Sequence, residues 1–386
     1  MNRQIVHMDM DAFFVSCTLR KMPKLTGKPL IIGGANSRGI VMSASYEARQ
    51  YGVHRSMPTR VALQRCPDAV LVKGDFDLFS RYSDTVNEII AEKAPVHERA
   101  TLDEFYLDMT GMDRFHSSYT FSKELAHTIY DETGLPLSFG LSINKTVAKI
   151  CTEHIKPAGH LQIAKQEVQP FLDPQSVRKL PSVGETTYRL LRRMSIKVIG
   201  TLRQVPMTAL QELFGKPGIT IWKKANGIDT TPVTPYQQQK SFSEELTLDQ
   251  DTQDIRQLKA ILVTLVEKVG FQMRKQKQIC AKISVRIRYT NFDTETVQRK
   301  IPFTSFDHTL ALVAKELFDK LYQRRMLIRM IGVKLSDLVQ GNHQIDLFHD
   351  DFKMIRLTEA MDKLKFRYDD PMIIRKANGA TSDTFS

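Results

Sequence analysis

Cysteine is scarce in this sequence, and the positions of the cysteines indicate neither a zinc cluster nor a disulfide framework. The four cysteines, Cys17, Cys66, Cys151 and Cys280, are far apart in a chain of 386 residues, and none forms a C-x-x-C pair. Closely spaced pairs are typical of zinc clusters and disulfide frameworks, so neither is indicated. We expect these cysteines to be ordinary buried thiols.

Long apolar runs are also missing. No stretch of 18 apolar residues occurs, and the first ten residues, MNRQIVHMDM, lack the apolar region of a signal peptide. We therefore expect a soluble intracellular protein that does not enter a membrane.

Acidic residues are in deficit, 43 against 55 Lys and Arg, which gives a formal net charge of +12. An excess of this sign favours polyanionic partners, with nucleic acid first and an anionic membrane surface second. A hydrophobic content of 42% in a chain of this length is enough for two to four compact units.

Carboxylates nevertheless gather at two points. Asp9 and Asp11 stand at the end of a predicted strand, residues 3–11, and Asp103 and Glu104 are adjacent about ninety residues later. Mg²⁺ prefers such oxygen ligands, and two ions can stabilise both oxygens of a phosphoryl transfer. Acidic residues at strand ends are also common as helix caps or solvated charges. Strand alternation would send Asp103 and Glu104 to opposite faces, so both reach one metal only where the backbone bends.

Hydrophobic periodicity predicts mixed helices and strands first, short helices next, and a separate α+β module last. Residues 228–242, polar and with two prolines, are interpreted as a linker before that module. The predicted elements are helix 79–93, strand 101–108, helix 121–132, strand 137–143, helix 145–154, short helices over 170–226, helix 254–274, strands 279–289 and 295–303, helix 308–323 and strand 326–335.

Four segments resemble the motifs of one enzyme family and occur in that family's order. They are MDMDAFF from Met8, SASYEARQYGV from Ser43, TLDEFYLD from Thr101 and NKTVAKICTEHIKPAG from Asn144. Over roughly residues 1–341 the chain resembles the Y-family DNA polymerases, in the DinB or DNA polymerase IV branch.

The resemblance implies a multidomain α+β fold arranged like a right hand. Its expected parts are a palm (1–11 and 76–168), fingers (12–75), a helix-hairpin-helix thumb (169–227), a linker (228–242), an α+β little finger (243–341) and a tail (342–386). The implied activity is template-directed DNA synthesis of low fidelity, used in translesion synthesis by a monomer in the bacterial cytoplasm. We expect low fidelity because the small fingers enclose little of the nascent base pair, and no proofreading because no second acidic set is present.

The same resemblance assigns the metal site. The side chains of Asp9, Asp103 and Glu104 and the backbone carbonyl of Met10 would hold two Mg²⁺ ions, for which Mn²⁺ could substitute. Asp11 would then be structural. Primer–template DNA and dNTPs would be the substrates, and no general base is obvious.

The resemblance also assigns nucleotide contacts. Phe14 would be the steric gate that excludes a ribose 2′-hydroxyl, although plain core packing is the commoner fate of such a phenylalanine. The other implied residues are the amides of Phe13 and Phe14, with Tyr46, Arg49 and Lys156, at the triphosphate, and Ile40 and Met42 over the nascent base pair. The family often has a small residue in place of Met42 and commonly an alanine in place of Phe105.

Two modules are expected to hold DNA. The turn Pro181–Gly184, which includes Ser182, would present backbone amides to a phosphate. In the strand 281–289 the basic residues alternate with apolar ones, which predicts one basic face and one core face. The basic face would comprise Lys282, Arg286 and Arg288, with Arg329 and Lys334 from a neighbouring strand.

The tail carries a partner signal. Gln344, Leu347 and Phe348 fit the Q-x-x-L-F pattern by which bacterial polymerases bind the sliding clamp. Beyond it, Leu357, Met361 and Leu364 at helical spacing predict a small docking helix within residues 349–377, which have no assigned function.

Two rival functions use the same residues. One is a metal-dependent nuclease or nucleotide cyclase, against which Phe14 and the separate basic modules argue. The other is a noncatalytic DNA-binding or clamp-binding accessory protein, which the intact set Asp9, Asp103 and Glu104 argues against.

Overall fold

The chain divides into two units, residues 1–237 and 238–386, and the division lies inside the predicted linker 228–242. The fold is known from a computed structural model, which describes residues 3–36, 38–112, 117–235, 239–341 and 351–368. Among these residues, no helix is both long enough and apolar enough to cross a membrane.

The strands of the described residues form three sheets, with orders β5-β6-β1-β7-β8, β3-β2-β4 and β11-β10-β12-β9. Their bounds are β1 Ile5–Met10, β2 Leu30–Gly33, β3 Val41–Ala44, β4 Val70–Val72, β5 His97–Arg99, β6 Glu104–Asp108, β7 Leu137–Ser142, β8 His160–Gln162, β9 Ser241–Thr252, β10 Gln278–Tyr289, β11 Thr294–Thr304 and β12 Ile328–Gln340.

The helices agree closely with the periodic segments of the sequence. They are α1 Phe13–Lys21, α2 Tyr46–Gln50, α3 Thr59–Arg65, α4 Phe76–Lys93, α5 Ser118–Thr133, α6 Lys145–Ile155, α7 Val168–Leu172, α8 Glu185–Arg193, α9 Ile199–Gln204, α10 Met207–Phe214, α11 Lys216–Ala225, α12 Ile255–Lys275, α13 Asp307–Leu321 and α14 Asp351–Tyr368.

The central strand β1 is buried on both faces. Met8 faces a core shared with Phe105 and Phe139, and Phe105 is therefore fully buried in that core. His7, on the other face, is covered by α6, which packs on β1 and β7. Gly140 permits this close packing, because a Cβ there would overlap the carbonyl oxygen of Ala148.

The segment interpreted as a linker is bound to the first unit over most of its length. Arg3 donates a hydrogen bond of 2.7 Å to the carbonyl of Thr231, and Thr234 donates its amide to Glu98 at 2.7 Å. Val233 packs with Ile5 in a small apolar cluster. Since β9 begins at Ser241, the predicted linker 228–242 is too long at its far end as well.

The second unit confirms the alternation predicted for its central strand. In β10, Ile283, Val285, Ile287 and Tyr289 are fully buried in the core formed with α12 and α13. The opposite face carries the basic residues and is partly exposed.

A helix, α14, does follow the last strand, but the two leucines whose spacing predicted it are exposed. In α14, Leu357 and Leu364 are 52% and 42% exposed. The helix is held instead by polar contacts: Asp362 accepts two hydrogen bonds, of 2.7 and 2.9 Å, from Arg274 of α12. Arg274 also donates to Asp307, at the start of α13. A nearly buried guanidinium needs such carboxylates, so they determine which face of α14 docks.

We expect Asp362→Ala to release α14 from the second unit. Loss of two charge-assisted hydrogen bonds should cost about 1.5–3 kcal/mol of docking free energy. Hydrogen exchange of the α14 amides in the full chain measures this release. Lys363→Ala, on the exposed neighbouring position, should leave the exchange unchanged. Equal protection in both variants would contradict the contact.

Candidate active site

The antiparallel pairing of β1 with β6 brings the two acidic motifs together. Asp9 lies opposite Glu104 in the register of these strands. Asp103 precedes β6, and its carbonyl accepts a hydrogen bond of 3.0 Å from the amide of Met10. The predicted strand 101–108 is therefore too long at its start. The turn before Glu104 removes the alternation that would have separated the adjacent carboxylates.

These acids border an open cleft of about 370 Å³ between the first sheet and the smaller sheet β3-β2-β4. Its lining residues come from four segments: Asp9, Met10, Ala12, Phe13 and Phe14; Met42, Ser43, Ala44, Arg49, Val53, His54 and Arg55; Asp103 and Glu104; and Glu153 and Lys156. One cleft thus contains carboxylates, an aromatic ring and cations.

Asp9 is almost fully buried, and its carboxylate contacts one cation, with 2.6 Å between its Oδ1 and Nζ of Lys156. Burial raises the pKa of Asp9 to about 7, against the opposing effect of Lys156. Burial lowers the pKa of Lys156, but Asp9 more than compensates and the net pKa is raised.

Glu104 lies in a different electrostatic environment. Burial opposes its ionisation, but contacts with His7 and Lys149 lower its pKa to about 2. Nζ of Lys149 lies 2.5 Å from Oε2 of Glu104, and Nε2 of His7 lies 3.6 Å from the same oxygen. Glu104 is therefore ionised at neutral pH without a metal.

His7 is a member of this site that the sequence reasoning missed. One ligand atom each of His7, Asp9 and Glu104 lie within 4.8 Å of one another. The sequence did indicate that His7 lies on the same face of β1 as Asp9, because residues two apart on a strand share a face and His7 stands two residues before Asp9.

Asp103 and Asp11 are each held by hydrogen bonds. Asp103 accepts a hydrogen bond of 2.6 Å from the hydroxyl of Thr101, and it is outside the compact group of His7, Asp9 and Glu104. Asp11 is buried, and it accepts hydrogen bonds from Ser138 at 3.0 Å and from the amide of Ala158 at 2.7 Å. The carboxylate of Asp11 thus ties β1 to β7 and to the loop after Lys156.

The donor set fits a hard divalent cation. Asp9 is a buried carboxylate whose raised pKa a cation would lower, and Oε1 of Glu104 has no partner among the described residues. Met10 lines the same cleft. Asp9, Asp103, Glu104 and the Met10 carbonyl are all oxygen donors.

The predicted nucleotide contacts border this cleft to different degrees. The ring of Phe14 lies 4.7 Å from that of Phe79, and Phe13 is buried in the core. The guanidinium of Arg49 lies 4.6 Å over the ring of Tyr46, whose buried hydroxyl has no hydrogen-bond partner in the described part of the chain.

The two positions expected over the base pair differ. Met42 is half-buried in the cleft lining, whereas Ile40 is 56% exposed, precedes β3 and does not line the cleft.

The turn Pro181–Gly184 directly precedes α8. Ser182 has a φ of +84°, and its hydroxyl lies 3.2 Å from Nζ of Lys224. The amides of Ser182 and Gly184 have no partner among the described residues, whereas that of Val183 donates to Leu180.

On the β10 face, two of the predicted cations are already paired. Lys282 forms an ion pair with Asp337 at 3.1 Å and Arg286 one with Glu245 at 2.8 Å, while Arg288 donates to Thr294.

The cations of the flanking strands are placed differently. Lys334 is exposed on this face opposite Ser284, and Arg329 stacks 4.7 Å from the ring of Phe292. Lys300, opposite Lys282, is a further cation that the sequence reasoning did not single out. Gln344, Leu347 and Phe348 lie outside the described residues.

Three family models match the chain: impB/mucB/samB family at residues 8–153, its C-terminal domain at 239–347, and the DNA polymerase-iota thumb domain at 178–229. The chain is 34% identical to a protein named DNA polymerase IV from Clostridium kluyveri, over 97% of each chain. It belongs to the Y family of DNA polymerases. A DNA polymerase IV of Dehalococcoides mccartyi is 32% identical over 95% of each chain.

Solved Y-family structures have the same fold. A Y-family DNA polymerase chimera, Dbh-Dpo4(243-245)-Dbh, is 25% identical and has a TM-score of 0.79, covering 88% of this chain and all of its own. An insertion ternary complex of Dbh DNA polymerase, also 25% identical over the same shares, has a TM-score of 0.64. As a Y-family polymerase this chain is a DNA-directed DNA polymerase of low fidelity, and the accessory-protein and nuclease or cyclase alternatives are not favoured.

We expect Asp11→Ala to impair nucleotide binding and leave cation binding intact. The donors of Ser138 and Ala158 would lose their acceptor, at a cost of about 1–3 kcal/mol of folding stability, and the loop bearing Lys156 would loosen. Steady-state kinetics should show a raised KM for dNTP, while Mn²⁺ binding by calorimetry stays at the wild-type value. Asp9→Ala is the contrast and should lose Mn²⁺ binding. If Asp11→Ala also loses it, Asp11 is a ligand.

Proposed function

We propose that this polymerase joins a deoxynucleotide to a primer 3′-hydroxyl by a two-cation mechanism centred on Asp9, Asp103 and Glu104. The single observation that carries the proposal is the β1–β6 register, which opposes Asp9 to Glu104 at the edge of a cleft that Asp103 also borders. Carboxylates in this arrangement suit two Mg²⁺ ions, with Mn²⁺ as a substitute, held also by the carbonyl of Met10.

Bound there, the cations would supply Lewis acidity at the 3′-hydroxyl and neutralise charge on the triphosphate. Burial raises the pKa of Asp9 to about 7, whereas contacts with His7 and Lys149 lower the pKa of Glu104 to about 2, so Glu104 is the more fully ionised carboxylate at neutral pH.

The triphosphate would lie against Arg49, Tyr46, Lys156 and the amides of Phe13 and Phe14. Lys156 now pairs with Asp9, so a cation on Asp9 would free its ammonium for a phosphate oxygen. Phe14 would pack under the sugar as the steric gate, supported from below by Phe79. Ile40 and Met42 would cover the nascent base pair.

Primer–template DNA would bind through backbone contacts with both units. The unpaired amides of Ser182 and Gly184 suit a phosphate at the start of α8. On the sheet, Lys334 is exposed, whereas Lys282, Arg286, Arg288 and Arg329 would exchange their present partners for phosphates. Such binding should be independent of sequence and weaken steeply with salt.

The domain bounds given by the resemblance are part of the same proposal, with palm 1–11 and 76–168, fingers 12–75, thumb 169–227, little finger 243–341 and tail 342–386. The split of the chain at 237/238 supports a boundary between thumb and little finger inside the linker. A monomer acting in the bacterial cytoplasm is the expected working form.

A sliding clamp is the proposed protein partner, bound through Gln344, Leu347 and Phe348. Its support is the Q-x-x-L-F pattern, whose two apolar side chains would fill a pocket. The double variant Leu347→Ala, Phe348→Ala should lose clamp binding in surface plasmon resonance and keep distributive primer extension. Clamp binding by this variant at wild-type strength would refute the assignment.

The catalytic proposal is tested by primer extension with primer–template, dNTPs and Mg²⁺. The wild type should extend, and Asp103→Ala should be slower by at least about 100-fold, since cation stabilisation contributes several kcal/mol. Asp108→Ala, at the far end of β6, is the matched control and should extend normally. Extension by Asp103→Ala at the control rate would remove Asp103 from the site.

Phe14→Ala should admit ribonucleotides with little loss of deoxynucleotide incorporation, because the smaller side chain leaves room for a 2′-hydroxyl. The ratio of kcat/KM for dNTP to kcat/KM for rNTP measures this discrimination between sugars. Phe76→Ala, which removes an exposed ring beside the same Phe79, should keep the wild-type ratio. An unchanged ratio in Phe14→Ala would exclude the gate.

A further inference from the structure

We propose that His7 is a positioning residue, which orients the carboxylate of Glu104 for the catalytic cation without itself binding the cation. The inference deepens the proposed function and rests on Glu104 being a cation ligand. The buried polar side chain of His7 has no role in the proposed two-cation reaction, and the inference assigns it one.

The imidazole of His7 is fixed from one side by α6. His7 is fully buried, and its Nδ1 lies 3.0 Å from the hydroxyl oxygen of Thr152. The same hydroxyl oxygen lies 3.0 Å from the carbonyls of His7 and of Ala148, so β1 and α6 are joined at this point. The ring also packs at 4.7 Å against Tyr106. These contacts leave the imidazole little rotational freedom.

The other nitrogen of the ring points at the acidic site. Nε2 of His7 lies 3.6 Å from Oε2 of Glu104, slightly beyond hydrogen-bond length, and it has no hydrogen-bond partner in the described part of the chain. Buried polar atoms are nearly always hydrogen-bonded. A small movement of the Glu104 carboxylate toward Nε2 would complete this hydrogen bond.

Lys149 and His7 face the same oxygen of the Glu104 carboxylate. Lys149 contacts Oε2 from α6, as His7 faces it from β1, and Oε1 has no partner among the described residues. Oε2 is thus the anchored oxygen, and Oε1 is the one left for a cation.

Lys149 and His7 make different contributions to this anchoring. Lys149 carries a charge on a flexible stem, and its side chain is 25% exposed. His7 is fully buried, and its ring is held by Thr152 and packed against Tyr106, so it acts as a hydrogen-bonding group of fixed direction. The ammonium compensates charge, whereas the imidazole determines orientation.

The position of the ring argues against direct coordination. Asp9 and Glu104 both line the cleft, whereas His7 is fully buried and does not line it. Hydrogen-bond partners of metal-bound carboxylates commonly occupy such a place, and their loss costs about 10–100-fold in metal affinity.

A matched pair of amide variants isolates the nitrogen in question. His7→Asn keeps an amide near the position of Nδ1 and has nothing at Nε2, whereas His7→Gln places an amide near Nε2. Mn²⁺ binding to the DNA-free full chain is measured by calorimetry, and kcat and KM for dNTP by primer extension. We expect weaker Mn²⁺ binding by about 10–100-fold and a lower kcat in His7→Asn, with wild-type KM, and substantial rescue of both losses in His7→Gln.

Three results would overturn the proposal. Wild-type binding in both variants would show that Nε2 is unimportant, and equal impairment in both, with matching losses of thermal stability, would show a purely structural role. Coupling of Mn²⁺ to a histidine nitrogen in the electron paramagnetic resonance spectrum of the wild type would make His7 a ligand.

Glu104→Gln separates this proposal from the one on which it rests. If Glu104→Gln retains wild-type Mn²⁺ binding, the assignment of Glu104 as a ligand has failed. If Glu104→Gln loses Mn²⁺ binding and both His7 variants retain it, only the role of His7 has failed.

Discussion

The backbone pairing of β1 with β6 is the interaction on which the cleft depends. It sets Asp9 opposite Glu104, and the hydrogen bond from the Met10 amide to the Asp103 carbonyl fixes where β6 begins. A register shift of one residue would move Asp9 to the core face and replace it with an apolar side chain. The buried Met8 and Phe105, paired across these strands, make such a shift costly.

Two lysines balance the charge that this pairing concentrates. Lys149 lies in α6, and Lys156 directly follows the end of α6, seven residues later, so both ammonium groups reach the same side. Each one contacts a different carboxylate, Glu104 or Asp9. Gly140 allows the helix to lie close enough for both contacts. The opposite pKa shifts of the two acids follow from how far each contact offsets burial.

Elements with clear periodicity were predictable from local sequence, as β10 and α12 illustrate. The joint position of Asp103 and Glu104 was not, because alternation separated them and only a contact distant in sequence sets the start of β6. Their roles therefore rested on family resemblance. The spacing of its leucines predicted helix α14 but not its docking contact, since that spacing takes no account of a partner such as Arg274. His7 was overlooked because burial of a polar ring depends on the packing of α6.

The contact of Arg274 with α14 gives the second unit an anchor beyond its last strand. Gly341, at the end of β12, is hydrogen-bonded to Lys277, and α14 is held by Arg274 through Asp362, so the described residues on either side of 342–350 are both attached to the second unit. Lys277 and Arg274 are three residues apart at the end of α12, and this one helix end therefore holds both the last strand and the helix that follows it.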